Sequence, residues 1–381
     1  MLRTFALSAV SLSALSVAAF AEPPKVATDI APIHSLVSQV MNTVGEPSLI
    51  VRQGASPHGY SMRPSEARAL QNADLVVWVG PELTPWFEKP LSSLSEGAAK
   101  LELLEVPGTL QLEYRDLDED DHDKHGDAHA EGDDHDGHDD DDAEHDNHDK
   151  HDDDHAEHDD HDKHDDDHAE HDNHDKHDDD HAEHDDHEKH DDHGADEDHA
   201  ESDDHGHDHH EGLDPHAWLD PQNAQVWVLA IAERLAELDA ENAEVYLLNA
   251  KAAVEVLKAQ EAELAEQMAG LSDQPYVAFH DAFQYFESRF DLKIAGTIAL
   301  GDASDPSPAR VAALRDRIVD LGVTCAYAEP QYDPRLLEAA TETGEVEIRV
   351  IDPLGSTLSI GAGLYGQLIA AMADEFAACA N

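Results

Sequence analysis

Cysteine is almost missing from this chain: two residues, Cys325 and Cys379, in 381. Two are too few for a thiolate metal cluster, and no spacing rule decides whether they pair, although an oxidising compartment favours a bridge over two free thiols. Basic residues are scarce as well, 23 Lys and Arg against 87 Asp and Glu, a formal charge of −64. A surface of that sign makes nucleic acid and anionic membranes poor partners, because phosphate contacts need the opposite charge. Aromatics make up 5% of the chain. Beyond the N-terminus there is no apolar run of membrane-spanning length. Residues 1–21, MLRTFALSAVSLSALSVAAFA, combine Arg3, an apolar stretch too short to cross a bilayer and an Ala-Phe-Ala ending that resembles a signal-peptidase site. The expectation is an exported soluble protein whose mature chain starts at Glu22.

What is abundant is histidine and acid. The stretch AEHDNHDKHDDDH at 143–155 returns almost unchanged at 156–168 and 169–181. Residues 116–211 hold 48 acids, five lysines and 26 of the 30 histidines, and no aromatic. Such a segment cannot bury enough apolar surface to offset its ordering entropy, so it is expected to be a disordered, metal-chelating loop. Within a repeat, His recurs at spacings of three, three, four and three, which lets neighbouring imidazoles meet across a transient turn. Sites that must order on binding should be weaker than a preformed cleft, so the tract is read as gathering metal rather than as the principal site.

Removing leader and tract leaves about 260 residues of ordinary composition, enough for two domains. Strand-like VATDI (26–30), SLIV (48–51) and DLVVWV (74–79) alternate with helical HSLVSQVMNTV (34–44) and PSEARALQNA (64–73). The same alternation returns after 275 through PYVAF, DAFQYFESRF, LKIAGTIAL, SPARVAALRDRIVDL, TCAYAE, PRLLEAATET, EIRVID and a closing helix from Gly361 to Cys379. Between them, 221–271 reads as two helices breaking near Asp239. The expected fold is α/β: two lobes, each a parallel sheet flanked by helices, joined by a long rigid spine helix. The expected organisation is an N-terminal lobe over 22–115, the loop over 116–211, the end of the first lobe over 212–238, the spine over 239–271 and a C-terminal lobe over 272–381.

Four histidines lie outside the tract: His34, His58, His216 and His280. His58 in GASPHGYSMRPS, His216 in LDPHAWLDP and His280 in YVAFHDAF each fall where a strand or linker would open onto a cleft, the usual ligand position in open α/β sheets. Proline beside His58 and before His216 restricts the backbone that carries each ring. His34, in IAPIHSLV, lacks such a motif and reads as a structural histidine. Asp352, in VIDPLG, ends a strand of the second lobe; it reads equally as a turn-former before Pro353 and as a fourth ligand. Three imidazoles with an open or carboxylate-filled fourth position suit Zn²⁺, whereas manganese prefers more oxygen.

The motifs GASPHGYSMRPSEARALQNADLVVWVGPELTPW, DPHAWLDPQNA, AFHDAFQYF, AEPQYDP and IDPLGSTL together resemble the metal-binding solute receptors of ABC-type importers, most closely the zinc-specific periplasmic ZnuA type. The resemblance covers nearly the whole mature chain. It implies a periplasmic receptor, not an enzyme, that binds one Zn²⁺ through His58, His216 and His280 and delivers it to a membrane ABC permease. Asp352 matches an acidic residue that is a ligand in manganese-type relatives and distant or water-linked in zinc-type ones. The resemblance also implies a His-rich insertion between the first two ligands and a Cys325–Cys379 disulfide. Some relatives carry an acid immediately before the first His; Pro57 stands there here, leaving Asp352 or water to complete the sphere. The protein is taken as a monomer, with a periplasmic zinc chaperone left open as a further partner.

Competing readings are a manganese or broad-specificity receptor, a secreted zinc hydrolase and a metal-storage protein. His280 counts against the first, the lack of an H-E-x-x-H helix against the second. The third predicts many equal weak sites.

Overall fold

The structure is a computed structural model and describes residues 22–115, 117, 212–299, 307–342 and 345–379. All of them belong to one compact unit; the second unit, residues 126–206, lies outside them, as do the expected leader and nearly all of the His/Asp tract. Among the described residues no helix is long and apolar enough to cross a membrane.

The first lobe runs β1 (Val26–Thr28), α1 (Ala31–Val40), β2 (Ser48–Leu49), α2 (Pro64–Gln71), β3 (Leu75–Trp78), α3 (Glu88–Leu94) and β4 (Ala99–Glu102). Two long helices follow, α4 (Pro221–Leu238) and α5 (Ala243–Met268). The second lobe repeats the first pattern with β5 (Tyr276–Ala278), α6 (Gln284–Phe290), β6 (Ile294–Thr297), α7 (Pro308–Leu321), β7 (Cys325–Ala328), α8 (Arg335–Thr341) and β8 (Glu347–Val350), and α9 (Leu364–Cys379) closes the chain. Both sheets are wholly parallel, ordered β2-β1-β3-β4 and β6-β5-β7-β8. The order therefore reverses between β1 and β3 and again between β5 and β7, and a crevice opens at the carboxyl ends of strands where such a reversal occurs.

Strand periodicity explains the layering. Along β3, Leu75 and Val77 join the large central core, while Val76 and Trp78 face a separate cluster with Leu70, Phe87 and Leu91. Along β7, Cys325 and Tyr327 turn to the central core, and Ala326 and Ala328 to a cluster with Leu314, Ile318 and Leu337. The central strands β3 and β7 are thus buried on both faces, as parallel sheets require. The central core is continuous from Val26 and Leu36 through Trp227 and Leu257 to Tyr276 and Leu368, so both lobes and the long helices share one interior. A disulfide between Cys325 and Cys379 ties β7 to the end of α9.

The helices start and stop for local reasons. The Asp220 side chain caps α4 by accepting from the Gln222 N–H at 2.8 Å. Ser307 does the same for α7, followed by Pro308 in its first turn, and Gly322 ends it in the left-handed region at φ 62°. The elbow between α4 and α5 lies at Asp239, where the helical break was expected: its carboxylate accepts from the Asn242 amide nitrogen, the Asn242 side chain and the Tyr246 hydroxyl. Two elements were not anticipated, α3 and β4. β4 is an edge strand, AKLE, partly exposed along its length, and Lys, Leu and Glu carry no strand signature.

Candidate metal centre

His58 lies in the loop after β2. Its backbone is anchored from the preceding residue: the Trp86 indole N–H donates to the Pro57 carbonyl at 2.6 Å. Tyr60 packs against Trp86 and donates to Glu66, which also accepts from the Arg63 N–H at the start of α2. The loop is thereby held at both ends, and His58 itself stays half-buried.

His216 enters from the return arm of the tract. Glu113 and Leu213 form an antiparallel bridge, and Tyr285 on α6 clasps both strands of this stem, accepting from the Leu112 N–H and donating to the Asp214 carbonyl. Asp214 then accepts from both the His216 backbone N–H (2.9 Å) and ring Nδ1 (2.8 Å). Burial pushes the Asp214 carboxyl above its ordinary value, and the adjoining His216 pulls against that rise. Beyond a 3-10 turn at Ala217–Leu219, Arg289 of α6 grips Asp220 with two hydrogen bonds, fixing the turn to the second lobe.

His280 follows β5, and its ring Nδ1 lies 2.7 Å from Oε1 of Glu329, the residue after the neighbouring strand β7. The next residue, Asp281, receives two hydrogen bonds from Arg115, whose third goes to Glu287 at 2.5 Å. Burial works against the Arg115 charge, but Asp281 and Glu287 outweigh it and hold the guanidinium above its ordinary value. The Glu287 carboxyl is raised by burial, against the pull of Arg115.

These three chain segments bring His58, His216 and His280 together, with one ring nitrogen from each within 4.8 Å of the others. Ring centroids are 5.5 Å (His58–His216), 6.2 Å (His58–His280) and 5.2 Å (His216–His280) apart. The Nε2 atoms of His216 and His280 are 3.4 Å apart. Carboxylates only accept, so Asp214 and Glu329 place the proton of each ring on Nδ1 and leave the two Nε2 lone pairs facing each other. Two lone pairs so placed call for a cation between them. Donors at about 2.0–2.1 Å around a tetrahedral ion stand about 3.3–3.4 Å apart, which matches this pair. The pocket around them is lined also by Ser56, Pro57, Trp218, Gln331, Tyr332 and Leu354.

Asp352 lies two residues beyond β8 and stands outside this group. Its Oδ1 accepts from the Leu354 N–H and the Gln331 amide, and its Oδ2 from the Ser356 N–H and hydroxyl. The contacts to Leu354 and Ser356 are those of the turn-forming role weighed from the sequence; the one from Gln331 comes from the loop after β7. His34 is buried in α1, its ring against the Pro47 carbonyl and Ser38, and burial lowers its pKa. It is a structural histidine. Asp214 and Glu329 were not assigned roles from sequence. An acid two residues before His216 was a local signal for the first; the second becomes visible only once β7 is known to lie beside β5.

Two parallel-sheet lobes and three imidazoles gathered in one pocket are the make-up of a metal-binding solute receptor. The chain belongs to the family of the periplasmic zinc-uptake complex component A, ZnuA, whose model matches residues 26–379. It is 37% identical to the high-affinity zinc uptake system protein ZnuA of Paracoccus denitrificans (strain Pd 1222), across 97% of this chain and 96% of that protein. With the protein of the same description from Brucella abortus (strain 2308) it shares 34% identity, across 93% and 91%. Among solved structures, a ZnuA crystal structure superposes with a TM-score of 0.64 at 17% identity, covering 94% of this chain and all (100%) of the other. The solute-binding protein FpvC of Pseudomonas aeruginosa in complex with Mn²⁺ gives 0.62 at 16% identity, covering 94% and 98%. These likenesses share the fold alone.

Proposed function

We propose that the protein is a high-affinity periplasmic receptor that captures one Zn²⁺ through His58, His216 and His280 and passes it to an ABC permease for import. Zinc is cargo, no substrate is turned over, and the receptor works as a monomer. The observation that carries this reading is the convergence of three imidazoles from separate segments, two of them locked by carboxylates with Nε2 turned inward. Nitrogen donors favour zinc over manganese. Competition of Mn²⁺ against Zn²⁺ for the tight site discriminates the two, and equal affinity would favour the broad-specificity receptor.

The ligand assignment is tested by substituting His58, His216 and His280 singly with Ala and measuring tight zinc binding against a chelator. Each variant should lose the tight phase; a variant that binds as the parent does removes that histidine from the site. The shared partner of all three variants, the permease, is addressed by zinc uptake into cells that carry only the variant receptor.

A further inference from the structure

Each of the three imidazoles has an apolar companion on the wall of the pocket. Pro57 precedes His58, the Trp218 ring stands 5.3 Å from that of His216, and the Tyr332 ring stands 5.1 Å from that of His280. Tyr332 is itself backed by Phe279, the two rings stacked at 4.5 Å with their planes 9° apart. Leu354 adds a further apolar side chain from the turn that follows β8 and is 8% exposed. Trp218 is 1% exposed, and its indole N–H donates to the Pro353 carbonyl at 2.9 Å, so its only donor is spent on the turn that carries Leu354.

The polar groups around the same pocket are mostly engaged elsewhere. The Ser56 hydroxyl accepts from the His58 N–H at 3.3 Å, the Gln331 amide nitrogen donates to Asp352 at 3.3 Å, and Glu329 meets His280 at its outer nitrogen, Nδ1. Asp352 has both oxygens held in its own turn, and residue 57 is proline, so neither supplies a carboxylate. This limits how many ligands an ion gathers here. Zinc is satisfied with four, of which the imidazoles supply all but one. A cation that keeps six needs three waters beside the same imidazoles, and each such water needs roughly two to four polar partners. Waters packed against proline, leucine and aromatic carbon would leave polarised hydrogens without acceptors, which is costly.

We propose that Pro57, Trp218, Tyr332 and Leu354 form a coordination-number filter: their apolar wall leaves the ion its three nitrogens and one further ligand, and so turns away cations that keep six. This inference rests on the ligand reading above and deepens it, because it adds to donor type a second source of selectivity that the histidines do not provide. A site with the same three imidazoles and a wetter wall would bind zinc and admit six-coordinate ions as well.

The test uses the full-length protein, metal-free, as Leu354→Ala, Leu354→Met and His216→Ala beside the parent. Tight-phase affinities for Mn²⁺ and Zn²⁺ are read by chelator competition, and the visible spectrum of one equivalent of Co²⁺ reports coordination number, since four-coordinate Co²⁺ absorbs intensely and six-coordinate Co²⁺ is pale. In Leu354→Ala the Mn²⁺-to-Zn²⁺ affinity ratio should rise about 10-fold, the worth of one further well-held water, and the Co²⁺ bands should weaken. Leu354→Met, which refills the space, should recover most of both changes. A rise of less than about twofold, or Co²⁺ bands of undiminished intensity, overturns the proposal; a larger rise with weakened bands upholds it. Should Leu354→Ala show no cooperative melt, Leu354→Val is read by the same two limits. His216→Ala separates the two readings: if it keeps tight zinc, it is the ligand set that fails, and if it loses tight zinc while Leu354→Ala behaves as the parent does, only the filter falls.

Discussion

Individual side chains divide sharply into those whose role shows in their own neighbourhood and those whose role depends on a residue far along the chain. His58 and His216 stand beside prolines in turn-rich motifs, and His280 ends a strand, so all three could be singled out by local pattern. Glu329 could not, because its partner His280 lies 49 residues away and meets it only through strand pairing. Trp86 is of the same kind: its indole bond to the Pro57 carbonyl holds the loop that carries His58, 29 residues back. Replacing Trp86 with Phe keeps the ring packing but removes that donor. Zinc affinity should then fall about 3- to 10-fold, through faster release, since ordering a freed loop on binding costs affinity. Stopped-flow exchange with a chromophoric chelator measures the release rate; an unchanged rate would show that the loop needs no such anchor.

Among elements, the elbow at Asp239 is the clearest case of a break with a chemical cause. Burial alone would raise its carboxyl, yet the hydrogen bonds from Asn242 and Tyr246 win and lower it from the ordinary 3.8. A carboxyl held low in the folded state adds stability above its unfolded value, and that contribution is lost as pH falls through the folded one. Asp239→Asn should therefore lower the melting temperature at pH 7, with a cost of about 1 kcal/mol, and the gap to the parent should narrow below pH 3.8. Thermal melts at both pH values check the sign. The disulfide between β7 and α9 closes 54 residues. On the chain-entropy estimate its removal by Cys325→Ser with Cys379→Ser costs about 4 kcal/mol, visible as a lower urea midpoint. Helices and buried strands were legible because burial writes a period into the sequence. β4 was not, since an edge strand partly open to solvent is free to carry Lys and Glu.

For the whole molecule, the alternation of strand and helix was enough to expect two parallel sheets, because parallel neighbours need crossover helices and bury both faces. That the two lobes share one interior was beyond reach, since which faces turn inward is decided only when α1, α4, α5 and α9 pack together. Hydrogen bonds reinforce that union: Gln53 of the first lobe donates to the carbonyls of Gly355 and Leu358, and Trp218 to that of Pro353. The cleft residues and their carboxylate partners lie outside 116–211, so deleting that tract should leave one tight zinc per protein and remove the weaker ones. Isothermal titration of the deletion variant against the parent decides it, and loss of the tight site would return the tract to the centre of the function.

The stem at Glu113 and Leu213, clasped by Tyr285, has a bearing on how this receptor can evolve. A thirteen-residue unit encoded in tandem is prone to gain or loss when DNA strands slip during copying, and every such event changes the length of chain between the two arms of the stem. Because the arms are fastened to each other and to α6 before the cleft begins, that length can drift from lineage to lineage while His216 keeps its place.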